Sequence, residues 1–161
     1  MPSTTMKSVP SRFPFIEAFS QAVSSQERSG QRASTLIPAK VLVNLSGNVH
    51  RDLNYVSRLQ EDVDETLKSC SQYHTTWIQE VRRDASQALL DFNSYLEHKM
   101  PASNNGGAPL KITKVIKNNK KMASLERELS AAHAGLVGIM GFLQMLGLKS
   151  GKLLLDPTQA L

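Results

Sequence analysis

From Ala39 to Met100 the chain runs without a proline and with a single glycine, Gly47. Turns and loops draw heavily on those two residue types, so a run this long without them is helix material. Its apolar positions are Leu42, Leu45, Val49, Leu53, Val56, Leu59, Val63, Leu67, Cys70, Tyr73, Trp77, Val81, Ala85, Ala88, Phe92 and Leu96. They take fifteen steps over 54 residues, a mean of 3.6. That is the period of a straight α-helix, whereas a strict heptad seam averages about 3.5. Periodicity alone therefore predicts one long helix over 39–100 carrying a single apolar stripe. At ~1.5 Å per residue it would extend for roughly 90 Å, far outside a compact domain.

The rest of the chain is punctuated around that element. Residues 1–12 are rich in Ser, Thr and Pro, lack an apolar period and read as a disordered tail. Residues 13–26 read as a short amphipathic helix: Pro14 suits a first helical turn, and Phe15, Ile16, Phe19, Ala22 and Val23 share one face. The polar stretch 27–38 reads as a flexible link. Residues 101–109, with Pro101, Asn104, Asn105, Gly106, Gly107 and Pro109, form the clearest break in the sequence. A second long helix is expected over 110–148, and 149–161 is left as a C-terminal tail.

Helix, short turn and helix imply antiparallel neighbours. The expected fold is thus all-α, an elongated antiparallel helical hairpin of coiled-coil-like helices with a short amphipathic helix in front. The arms are unequal. A turn centred near residue 104 sets Leu148 opposite residue 60 or so and leaves Leu42, Leu45, Val49, Leu53 and Val56 without a partner in the second arm. These residues are candidates for binding other helical proteins, with Phe15, Ile16 and Phe19 of the first helix and Leu136, Met140, Leu143 and Leu146 of the last.

Residues 131–148 raise a separate question, because His133 is the only titratable side chain among them. Eighteen such residues approach the ~20 that a membrane-spanning helix requires. His133, Gln144 and the glycines at 135, 138, 141 and 147 dilute the segment, which also continues in phase the stripe that starts at Ile112. The expectation is a helix buried against protein, with a membrane anchor as the alternative.

No catalytic constellation stands out, and no cofactor is expected. Cys70 and His74 stand four apart, but two ligands without a third make no metal site. Gly147–Lys152 (GLKSGK) lacks the spacing of a phosphate loop, and Leu153 stands where a hydroxyl would hold magnesium. Lys111, Lys114, Lys117, Lys120 and Lys121 form a basic stripe fit to contact a polyanion; an acidic protein surface suits it better than nucleic acid, since no aromatic residues are interleaved.

Charge is unevenly spread. Five basic against two acidic residues lie in 1–40, six against nine in 41–100 and eight against three in 101–161. One cysteine cannot form an internal disulfide, and the short apolar run at 13–19 is no secretory signal, so a cytoplasmic or nuclear setting is expected. The functional expectation is a non-enzymatic scaffold or adaptor subunit in a hetero-oligomer of helical proteins.

Overall fold

The computed structural model describes residues 12–30, 33–99 and 112–151. Those residues are helical throughout, apart from short connections, and contain no strand. The elements are α1 (Pro14–Arg28), α2 (Ala33–Asp62), α3 (Asp64–Lys68), α4 (Gln72–Lys99), α5 (Ile112–Ile116) and α6 (Asn119–Lys149).

The helix expected over 39–100 is broken, and the chain doubles back on itself between Val63 and Ser71. Local chemistry explains the position. Glu61, Asp62, Asp64 and Glu65 would repel at i, i+3 and i, i+4 within one continuous helix. Stopping α2 at Asp62 moves Asp64 and Glu65 into the first turn of α3, where the helix dipole favours them. The serines finish the reversal. Ser69 Oγ donates to the Thr66 carbonyl at 2.6 Å, and Ser71 Oγ meets His74 Nδ1 at 2.8 Å. The Ser69 hydroxyl thereby offers the backbone an alternative to continued helix, and the Ser71 hydroxyl engages the first turn of α4. Val63 and Leu67 still point inward and are buried, so the apolar stripe runs through the turn without a gap.

Folding the run in half gives the stripe a partner in the same chain. Arg82 on α4 donates from Nη1 to Gln60 Oε1 at 2.6 Å and from Nη2 to Ser57 Oγ at 2.8 Å, both on α2. The Phe13 ring meets His50 edge-on at 6.0 Å, and Glu27 pairs with Lys40, so α1 runs antiparallel to α2. Trp77 meets Phe142 and Tyr95 reaches Val115, so α4 and α6 also run in opposite directions. The path is up-down-up-down, with α5 and α6 together forming the last leg. It replaces the elongated rod.

The core lies along the axis of this bundle. Phe19, Leu42, Ile78, Phe92, Leu125 and Leu143 are among its fully buried side chains, and Phe19 meets Phe92 edge-on at 6.0 Å. Helix α2 begins at Ala33, inside the stretch expected to be a flexible link, and Pro38 lies within it. Burial of Leu36 and Ala39 supplies the reason: tertiary packing outweighs the backbone bond that Pro38 cannot donate. Helix α1 has no side-chain cap of its own at Phe13. Asn93 of α4 does that work, its Oδ1 accepting the Phe15 N–H at 3.0 Å and the Ile16 N–H at 3.3 Å. The turn expected at 101–109 lies outside the described residues, as do residues 1–11 of the tail expected at 1–12 and residues 152–161 of the tail expected at 149–161; Lys149 closes α6.

Candidate interaction surface

Helix α6 carries two apolar faces. Leu136, Ile139, Leu143 and Leu146 step by three and four along the inner face and are buried. On the outer face Val137, Met145 and Leu148 are 47 %, 46 % and 50 % exposed, with Gly138 and Gly141 also exposed between them. No Asp, Glu, Lys or Arg stands between Glu128 and Lys149. The result is a solvent-facing strip about five turns long without a charge.

Aromatic side chains border the strip. Phe142 stacks on His74 at 4.8 Å with the rings nearly parallel, and Trp77 meets Phe142 at 5.8 Å. Tyr73 lies edge-on to His74 at 5.7 Å and is the most exposed large apolar residue among the described residues, at 75 %. On the α2 side the Gln144 amide donates to the Tyr55 hydroxyl at 3.2 Å. Lower on the same seam, His133 Nδ1 lies 2.6 Å from Asp52 Oδ2. The glycines divide their roles. Gly135 faces α4, where an added Cβ would lie 2.9 Å from Val81 Cγ1. An added Cβ at Gly141 would meet nothing within 4 Å, which leaves the outer backbone open to close approach.

Comparison with known proteins finds no matching family model, no matching curated protein and no matching solved structure.

The residues expected to bind partners occupy different places. Leu42, Val49, Val56, Phe19, Leu136, Leu143 and Leu146 are buried in the chain's own core. Leu45, Leu53, Phe15, Ile16 and Met140 are partly buried and packed against it. The stripe that lacked a partner in an unequal hairpin is thus covered within the chain, by α1, α4 and α6. Periodicity identifies the stripe without fixing what covers it. The outer face of α6 gives no such signal, because its glycines and lone Val, Met and Leu side chains form no dense stripe.

Cys70 Sγ lies 3.5 Å from the Thr66 carbonyl, and the His74 ring is engaged by Ser71 and Phe142. Among the described residues no group of three His, Cys, Asp or Glu side chains is placed to share a metal.

Lys114, Lys117 and Lys120 line one concavity of about 400 Å³ together with Lys99, Asn118 and Asn119. Lys121 follows in the first turn of α6, its N–H donating to Asn118 Oδ1 at 3.1 Å, and Lys111 lies outside the described residues. Asp84 and Asp91 line a separate cleft with Glu128. Tyr95 closes the basic end: its hydroxyl donates to the Val115 carbonyl at 2.6 Å, and burial raises its pKa.

Proposed function

We propose that this chain is a non-enzymatic helical scaffold or adaptor subunit of a multi-protein complex, acting in the cytoplasm or nucleus, and that it captures a partner's apolar helix on the outer face of α6. The observation that carries the reading is the uncharged strip Val137–Gly141–Met145–Leu148, bordered by Tyr73, Trp77 and Phe142. A docking helix needs anchors at i, i+3/i+4 and i+7 and a groove or flat strip to receive them. Gly141 leaves the backbone open to close approach, and exposed Tyr73 beside half-buried Trp77 and Phe142 supplies aromatic area of the kind found at interface centres. This face takes the role that the Leu42–Val56 stripe holds in the sequence reading. In the same reading, α4 and α6 are the paired arms of the expected hairpin, shortened by the reversal at Val63–Ser71.

The alternative occupant is lipid. Among the described residues α6 is long and apolar enough to cross a membrane, and only 33 % of its most apolar window is buried. A photo-crosslinking side chain at position 145 distinguishes the two in living cells, with one at exposed Glu80 as control. Adducts to a defined protein from position 145 alone support the scaffold reading. Adducts to lipid alone support the membrane reading. Equal labelling from both positions refutes each of them.

A further inference from the structure

The concavity at the α4–α5–α6 corner is lined by Lys99, Lys114, Lys117, Asn118, Asn119 and Lys120, and no carboxylate lines it. Its four lysines come from the end of α4 (Lys99), from α5 (Lys114), from the α5–α6 connection (Lys117) and from the start of α6 (Lys120). None of them forms an ion pair among the described residues. The walls are held in place. Ile112 and Val115 anchor α5 in the core, Tyr95 ties it to α4 through the Val115 carbonyl, and Lys99 Nζ stands 6.0 Å over the Tyr95 ring. The hollow is more than ten times the ~30 Å³ that one water takes up in the liquid.

The arrangement gathers like charge with no counter-charge lining it. The ammonium groups repel one another, and Lys120 and Lys121 sit at the positive end of a 31-residue helix whose first turn holds no acidic residue. Arrangements that break local preference in this way mark functional positions. Asp84, Asp91 and Glu128 are gathered on the α4–α6 cleft instead, and no carboxylate among the described residues lines the lysine concavity.

We infer that this corner is a binding site for a compact, multiply charged phosphate anion. Lysine ammoniums act as point charges for phosphate oxygens, and the Asn118 and Asn119 amides can donate to the same oxygens. The chemistry is shared by free polyphosphorylated small molecules and by phosphorylated lipid headgroups. It is independent of the apolar strip, which lies roughly 27 Å further along α6, counting from Lys120 to Gly138.

The test is calorimetric titration of the full chain with sodium tripolyphosphate. We compare Lys114→Ala/Lys117→Ala/Lys120→Ala with Arg51→Ala/Arg58→Ala/Arg83→Ala, which removes equal charge elsewhere. All six side chains are exposed, and helix circular dichroism checks that both variants fold. The expected result is one anion per chain, bound at least about ten-fold more weakly by the lysine variant and equally well by the arginine variant. Vesicles containing phosphoinositide then identify the source. Sedimentation with them, reversed by tripolyphosphate, identifies a headgroup site; no sedimentation identifies a free anion. The inference is overturned by absent tripolyphosphate binding, by equal weakening in both variants, or by a single-stranded RNA that displaces the anion and ignores the lysine changes.

Discussion

Gly135→Ala isolates the contact that sets how close α4 and α6 lie. The added methyl carbon would stand 2.9 Å from Val81 Cγ1 and 3.8 Å from Cγ2. Ordinary carbon–carbon contact is near 3.5–4.0 Å, so the methyl intrudes by about half an ångström or more. Val81 cannot swing away freely, because a β-branched side chain in a helix holds one strongly preferred rotamer. Overpacking of this kind costs about 1–3 kcal/mol. Against it, alanine gains roughly 0.8–1.0 kcal/mol over glycine in a helix interior. The net expectation is a loss of about 1 kcal/mol, which in a chain of this size lowers Tm by ~2–4 °C. Gly47→Ala and Gly141→Ala are the internal standards, since an added Cβ at either would meet nothing within 4 Å. Both should gain the helix term alone and raise Tm by roughly the same few degrees. Thermal unfolding followed by circular dichroism at 222 nm reads all three. Adding Val81→Ala to Gly135→Ala should relieve the clash, with a coupling of about 1 kcal/mol in the double-mutant cycle. A Gly135→Ala protein as stable as the Gly141→Ala protein would refute the close approach.

Three further outcomes follow from particular contacts. Asn93→Ala removes the acceptor for the Phe15 and Ile16 N–H groups in the first turn of α1; it should cost about 1–2 kcal/mol, and hydrogen exchange should quicken in α1 before the other helices. Phe92→Ala empties a site with no exposed surface against Phe19, and should lower stability by about 3–5 kcal/mol in urea unfolding. Burial raises the Tyr95 pKa above its unfolded value. A raised folded pKa means that its contribution is fully present below about pH 10, the unfolded pKa, and is lost as pH rises through the folded value. Tyr95→Phe should remove that alkaline step from the stability–pH profile.

Much of this architecture is legible in the sequence, and the misses have physical reasons. Pro14 and the Phe15–Ile16–Phe19–Val23 spacing point to a short amphipathic helix over 13–26, and α1 runs from Pro14 to Arg28. The reversal after Asp62 stays hidden because Val63 and Leu67 keep the apolar period on both sides of it. Only the packed run of four acids and the serines at 69 and 71 mark the turn, and both also suit an exposed helix face. Pro38 suggests a boundary, whereas burial of Leu36 carries helix past it. The lysine stripe is visible as a local pattern, but Lys99 joins it only through the fold. Asn93 gives no signal at all: its partners lie 77 and 78 residues away.

The order in which neighbours meet gives the α2–α6 seam a kinetic meaning. Helices α1 with α2, and α2 with α4, are joined through short connections and can pair soon after they form. The contact between Asp52 and His133 spans 81 residues, so its loop closure is the more expensive one. Until it is made, the side of Leu136, Ile139 and Leu143 that α2 covers stands open beside Val137, Met145 and Leu148, and the last turns of α6 present apolar residues on both faces. A newly made chain therefore passes through a stage in which its last helix is at its stickiest, and anything that engages α6 then competes with the bundle for it.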